Sequence, residues 1–262
     1  MIAIIPAAGY ATRLGDLVKE KPKHLLEVGT KPILNYVFEG ISNLSVAGVF
    51  LVTNDKFYNR FIDWQKNFET NLKITIINDG TSSNDDRFGT VGDIAFAIKK
   101  GGIDDDLFIV AGDNLYCEEG RGYNLKSLYD SFLALEKKAG IVGLYDVRSL
   151  EIAKQMNQMV FAGGKEPKIN ERAQILKMTE KDPNPFSTII ATLIEIYPRK
   201  TIELINEYLA VRENHDKMGD FRSWLISENK IPLYGHHLAG KWFDIGSPET
   251  LNSARLFYQT LD

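Results

Sequence analysis

The chain has 262 residues, 44% hydrophobic and 25% charged, a globular composition with enough apolar content for a core, which excludes disorder and collagen-like repeats. Its net charge of −4 argues against a general nucleic-acid-binding surface. The one cysteine, Cys117, excludes an internal disulfide or a zinc–thiolate cluster and points to a reducing compartment.

Ile2–Pro6 opens the chain as a short, uncharged, β-branched run, the pattern of a strand buried on both faces. A loop covers residues 7 to 31. Pro32 then starts a helical pattern in which Ile33, Leu34, Val37, Phe38 and Ile41 recur at 3.6 spacing. Val46–Thr53 reads as a second strand, and Asp55–Phe68 as an amphipathic helix capped by Asn54 or Asp55. Lys73–Ile77 is a third strand, followed by the polar loop Asn78–Arg87. Gly92–Lys100 reads as a helix, Leu107–Ala111 as a buried strand ending in Gly112-Asp113-Asn114, Leu125–Lys137 as a helix and Gly140–Asp146 as a strand. Strands alternating with helices about every 30 residues predict a parallel α/β sheet. After residue 150 the rhythm changes. Short strands at Met159–Ala162, Ile175–Thr179 and Thr188–Tyr197 predict an antiparallel or mixed insertion lying over that sheet. Helices follow at Arg199–Arg212, Phe221–Glu228 and Pro248–Gln259, with a strand near Pro232–His237. No apolar run approaches the roughly 18–20 residues of a membrane span, and no secretion signal opens the chain, so a soluble cytoplasmic protein is expected.

Open parallel sheets bind ligands at the carboxyl ends of their strands. Two features fall there. The loop Ala7-Ala8-Gly9-Tyr10-Ala11-Thr12-Arg13-Leu14 has small residues that let backbone N–H groups approach a phosphate, and Arg13 adds a fork matched to phosphate oxygens. Between residues 13 and 23, four cations (Arg13, Lys19, Lys21, Lys23) face Asp16 and Glu20, a net +2 within an acidic chain. Neither G-x-x-x-x-G-K-[ST] nor G-x-G-x-x-G is present, which disfavours a P-loop enzyme or a dinucleotide site. The second feature is Asp113, just past a buried strand. With Asp244 it could share one Mg²⁺, a hard ion that takes a few oxygens plus substrate phosphates. Each carboxylate alone reads equally well as a turn residue or helix cap.

Taken in order, three blocks resemble the N-terminal signature of the sugar-phosphate nucleotidylyltransferases, closest to glucose-1-phosphate thymidylyl- and uridylyltransferases. They are the first loop, Lys21-Pro22-Lys23-His24-Leu25-Leu26-Glu27-Val28, and Lys31-Pro32-Ile33-Leu34-Asn35-Tyr36. Gly112-Asp113-Asn114, Glu180-Lys181-Asp182-Pro183 and Trp242-Phe243-Asp244-Ile245-Gly246-Ser247-Pro248-Glu249 follow in the family's order, so the resemblance spans nearly the whole chain. It implies a three-layer, Rossmann-like, mostly parallel sheet with a smaller mixed or antiparallel sugar-binding insertion. Residues 1–148 would bind the nucleotide, and 149–262 the sugar phosphate. It implies transfer of a nucleotidyl group from a nucleoside triphosphate, dTTP or UTP favoured, to a sugar-1-phosphate with release of pyrophosphate, often in a homo-oligomer. Ala8 and Gly9 would contact the nucleotide, Arg13 its phosphates, and Lys23 the α-phosphate. Asp113 and Asp244 would hold Mg²⁺, Lys181 the sugar phosphate and Glu180 sugar hydroxyls. Gly89 and Gly92 both fit a backbone contact to the base, and Arg87 is placed to face it.

The chemistry needs no more than this set. A phosphomonoester, with its second pKa at about 6, is already an anionic nucleophile, so no serine, cysteine or histidine need act. That agrees with four scattered histidines (His24, His215, His236, His237) that form no triad. The difficulty is bringing two anions together: unit charges ~4 Å apart repel by about 4 kcal/mol at an effective dielectric of 20, which the cations and Mg²⁺ would offset. Two positions depart from the family. Met156-Asn157-Gln158 replaces a Tyr-Gly, and Thr192-Leu193-Ile194-Glu195 replaces Thr-Gly-x-Tyr. Both lie in the acceptor half, so two alternatives accompany the main reading: a cytidylyltransferase for a phospho-alcohol such as phosphocholine, and a non-catalytic nucleotide or sugar sensor.

Overall fold

The computed structural model describes residues 1–117, 125–212 and 217–260; His215 lies outside the described residues. β1 (Ile2–Pro6) leads into 3-10 turns at Thr12–Val18 and Lys23–Leu25 and a hairpin of β2 (Glu27–Val28) with β3 (Lys31–Pro32). α1 (Ile33–Ser42), β4 (Gly48–Thr53), α2 (Tyr58–Lys66), β5 (Ile74–Asn78) and α3 (Gly89–Gly101) follow. Next come β6 (Leu107–Val110), β7 (Asn114–Cys117), α4 (Lys126–Leu133) and β8 (Gly140–Asp146). The second half holds α5 (Leu150–Ala153), β9 (Asn157–Phe161), β10 (Arg172–Glu180), β11 (Ile189–Tyr197) and α6 (Thr201–Val211). It closes with α7 (Met218–Ser227), β12 (Leu233–His237), β13 (Lys241–Asp244) and α8 (Pro248–Gln259).

Nine strands make one sheet in the order β5-β4-β1-β6-β11-β8-β12-β10-β9. β5, β4, β1 and β6 are parallel to one another, and β12 is parallel to β8. Only β10 and β11 run against the rest. Helices cover both faces, which explains why β1 is apolar without alternation. Ala3 and Ile5 join a core with Phe38 of α1, Phe132 of α4 and Leu251 of α8. Ile4 joins the opposite core with Ile94 of α3, Ile205 of α6 and Phe221 of α7. Three layers result.

The antiparallel segment extends this sheet instead of lying over it. β11 wedges between β6 and β8, because its long apolar run can be buried on both faces. The far edge then curls until β9 meets the start of β11. Two buried amides serve as rungs there. Asn157 donates to the Ala191 carbonyl (3.1 Å) and accepts from its N–H (2.7 Å). Gln158 accepts from the N–H groups of Phe186 and Ser187 and donates to the Ser187 carbonyl.

Several boundaries differ from expectation. The helix expected over 125–137 ends at Leu133, and Glu136 and Lys137 take left-handed φ of +51° and +57°. The helix expected from Asp55 begins at Tyr58, with Asn54 capping the preceding turn through the Phe57 N–H (3.1 Å). α3 begins at Gly89, not Gly92. Pro32 ends β3, and α1 starts one residue later.

Candidate active site

At the carboxyl ends of β1 and β4, the Ala7 N–H donates to the Val52 carbonyl (2.8 Å), and the Asn54 side chain donates to the Ala8 carbonyl (2.8 Å). The loop is thereby pinned against the sheet, and Ala11 turns it at φ +49°. A cleft of about 210 Å³ opens beside it, lined by Ala8, Gly9, Lys23, Arg87, Gly89 and Asp113 among others. A Cβ on Gly9 would meet nothing within 4 Å, so this residue faces open space that a ligand can fill. Gly89, at φ +76°, opens α3 on the cleft wall, and its conformation favours glycine. Gly92 does not line the cleft. A Cβ there would lie 2.8 Å from that of Phe88, so its smallness serves the first turn of α3. Arg87 stands exposed at the rim and donates to Asn84 Oδ1 (2.7 Å).

Asp113 and Asp244 come together on a two-stranded ribbon, β7 paired with β13, in which Asp244 lies opposite Asn114. The Asn114 amide nitrogen lies 3.3 Å from Oδ1 of each carboxylate. Lys23 donates to Asp113 Oδ2. Burial pushes the Asp113 carboxyl up, but the charge and hydrogen bond of Lys23 outweigh that and leave it below its ordinary value. Burial and the neighbouring Asp113 charge together push Asp244 up to about 6, against the pull of Lys23 and Arg13. The pairing with Lys23 favours the anion at Asp113, and burial beside that charge favours the neutral form at Asp244. His24, buried beside them, is driven down to about 3 by burial and the Lys23 charge, so it is a neutral wall.

Arg13 lies across the ribbon. It lines a second cleft of about 330 Å³ with Tyr145, Met156, Trp242, Asp244 and Gly246. A Cβ on Gly246 would stand 3.2 Å from an Arg13 nitrogen, so the guanidinium rests over that glycine. Arg13, Lys23, Asp113 and Asp244 therefore share one locality.

The acceptor-side residues are arranged differently. Glu180, at the end of β10, lines neither cleft. It packs over Gly219, where any Cβ would clash with its carboxylate, and burial raises its carboxyl above the ordinary value. Lys181 is exposed at φ +50°. The Asn157 side chain bonds the Ala191 backbone and lines neither cleft. Leu193 lines the first cleft, and β11 is bulged there between Ala191 and Glu195. Three bonds hold the bulge: the Ala111 N–H donates to the Leu193 carbonyl (2.8 Å), Arg222 of α7 donates to the Thr192 carbonyl (2.7 Å), and the Thr192 hydroxyl donates to the Gly143 carbonyl (2.9 Å). Arg222 also pairs with Glu195, which accepts a bond from Tyr197.

Sequence reasoning missed the β7–β13 ribbon and the part played by Asn114. The signal was present in Asn114-Leu115-Tyr116-Cys117 and Lys241-Trp242-Phe243-Asp244, two runs short enough to pass as loop. Of the other histidines, His236 sits between Ser131 and Ser127 on α4 (3.0 and 3.1 Å) and His237 faces the Pro167 carbonyl (3.0 Å).

A small-residue loop, Arg13, Lys23 and the two carboxylates are thus gathered beside a three-layer α/β sheet. Residues 2–260 match the Nucleotidyl transferase family profile, and the chain belongs to that family. It is 26% identical over 248 residues to the bifunctional protein GlmU of Methanocaldococcus jannaschii, covering 95% of this chain and 52% of the relative. It is 23% identical over 270 residues to the mannose-1-phosphate guanyltransferase of Aspergillus oryzae, covering 99% of this chain and 65% of the relative. The chain thus spans between half and two thirds of these relatives' lengths. The solved UDP-glucose pyrophosphorylase of Acinetobacter baumannii shares the fold, with a TM-score of 0.79, 18% identity, and coverage of 98% of this chain and 93% of that one. Among the described residues, no helix is long and apolar enough to cross a membrane.

Proposed function

We propose that this protein is a magnesium-dependent nucleotidylyltransferase that joins a nucleoside triphosphate to a phosphorylated acceptor, a sugar-1-phosphate first among them, and releases pyrophosphate. The observation that carries this is the meeting of Asp113 and Asp244 beside Lys23 and Arg13. The names of the relatives, a mannose-1-phosphate guanyltransferase and a UDP-glucose pyrophosphorylase, support the sugar-phosphate reading and extend the choice of base beyond dTTP and UTP to GTP.

The donor set fits Mg²⁺. Among the described residues no group of three or more His, Cys, Asp or Glu could cage a metal, whereas Mg²⁺ needs only one or two carboxylates plus substrate phosphates. Bound by Asp113 and Asp244, it would neutralise charge on the phosphates. The remaining work belongs to the chain. Ala8, Gly9 and Gly89 seat the nucleotide with the base toward Arg87. Lys23 lies at the α-phosphate and screens it from the incoming anion. Arg13, on the second cleft, holds phosphate oxygens and stabilises the charge that builds as the bond to pyrophosphate breaks. The acceptor phosphate, already ionised, attacks without a base. Residues 1–148 carry the nucleotide, and 149–262 carry the acceptor.

A second reading, a cytidylyltransferase acting on a phospho-alcohol such as phosphocholine, draws on one observation. Asn157 and Glu180 line neither cleft, which leaves fewer polar groups to meet sugar hydroxyls and suits a compact acceptor. A pyrophosphate-release screen, each triphosphate against sugar-1-phosphates and phospho-alcohols, tests both readings. Release with a sugar-1-phosphate is expected. Nucleotide binding with no release for any acceptor would overturn catalysis and favour a sensor.

A further inference from the structure

We propose that Asn114, oriented by Trp242, is a positioning residue that sets the two carboxylates for a divalent cation; the inference rests on the metal reading of Asp113 and Asp244 above. Side chains two apart on a strand share a face, so Trp242 and Asp244 of β13 point the same way and meet Asn114 of β7 there. The indole Nε1–H is only a donor, and it points at Asn114 Oδ1 (3.0 Å). That contact fixes which way the buried amide faces. Its oxygen is committed to the indole, so its NH₂ is aimed at Asp113 and Asp244, 3.3 Å from Oδ1 of each.

The two hydrogens of one amide are thus divided between two carboxylates of like charge that belong to distant segments. Lys23 engages the other oxygen of Asp113 but makes no hydrogen bond to Asp244. Asn114 is therefore the described side chain that donates to both carboxylates. A two-stranded ribbon is marginal alone, which makes such a cross-strand contact consequential. Leucine has nearly the same shape and donates nothing. Aspartate would add a third negative charge. Glutamine would displace the NH₂ by a methylene.

The test is titration of Mn²⁺ into the metal-free chain saturated with a non-hydrolysable analogue of dTTP, UTP or GTP, with free Mn²⁺ read by its electron paramagnetic resonance signal and binding taken as the excess over the triphosphate alone. Wild type should bind, and Asp113→Asn should abolish binding. Asn114→Leu should weaken binding by tenfold or more, within the roughly 10–100-fold known for residues that orient metal ligands. Trp242→Phe should weaken it several-fold. Adding Trp242→Phe to Asn114→Leu should change nothing further, because the indole would no longer have an amide to orient. Independent, multiplying effects would mark two merely structural residues and overturn the proposal. So would unchanged binding in Asn114→Leu while Asp113→Asn abolishes it, leaving the metal reading intact. Absence of Mn²⁺ binding in wild type would overturn the metal reading and this inference together. Should Asn114→Leu fail to fold, the partly exposed Trp242→Phe decides alone: it must lose affinity with its metal-free melting temperature unchanged, and wild-type affinity would refute the role.

Discussion

Arg222 reaches from α7 into the sheet and donates through Nε to Glu195 of β11 at 3.1 Å, with the two side chains only 4% and 0% exposed. The pair adjoins the bulge at which Leu193 lines the first cleft. Arg222 also satisfies the Thr192 carbonyl that the bulge removes from regular pairing. A residue that lines neither cleft thereby shapes a wall of the first one.

Arg222→Met should cost about 3–5 kcal/mol, the range for stranding one partner of a buried ion pair. Arg222→Met combined with Glu195→Leu should recover part of that loss, since the lone buried carboxylate is gone. Urea unfolding of the three proteins checks this. A double variant no more stable than Arg222→Met alone would show that the Thr192 carbonyl, not the carboxylate, dominates the cost.

Asp244 predicts an inverted pH response. Its carboxyl is raised from 3.8 to about 6 in the folded chain, so the unfolded chain gives up that proton more readily and gains stability as pH rises between those values. Without metal, Asp244→Asn should therefore be more stable than wild type at pH 7–8, by up to roughly 3 kcal/mol. The gap should close as pH falls toward 4. Melting curves across pH without divalent ions check this, and a gap independent of pH would refute the assignment.

Lys23→Ala should lower turnover by about 10²–10³-fold, as for loss of one preorganised donor at a developing charge. It also leaves Asp113 without the cation that holds its carboxyl down. Lys23→Arg should restore only part of the rate, because the broader fork cannot occupy the same narrow place. Rates of pyrophosphate release in the acceptor screen supply the measurement.

Asn157→Gly removes both rungs to Ala191 and strands buried backbone groups. A loss of roughly 2 kcal/mol or more is expected, including the entropy of a new glycine in a strand. If Asn157 shapes the acceptor side through its tie between β9 and β11, the same variant should change the KM for a hexose-1-phosphate. An unchanged KM would separate Asn157 from selectivity and leave it a purely structural tie.

The parallel core was legible because its strands are uninterrupted apolar runs and its helices repeat at 3.6, local patterns that burial on two faces imposes. The phosphate loop and the two aspartates were legible as residue types at strand ends. What was not legible is pairing. Ile189–Tyr197 reads as a strand, but nothing in its pattern says that it slots between β6 and β8, since its partners lie some 40 to 90 residues away. Glu180 follows the same logic: its place beside Lys181 suggests a substrate contact, while its surroundings are set by Gly219 on α7. The β7–β13 ribbon was missed because four-residue strands carry too little periodicity to stand out.

The wedged position of β11 bears on how such enzymes diverge. A strand from the C-terminal half completes the sheet of the N-terminal half, so neither half owns a finished scaffold. Recombining one half with a relative's counterpart would break the hydrogen-bond ladder on both sides of that strand. New specificities in this family should accordingly arise by substitution within the shared sheet, not by exchange of whole modules.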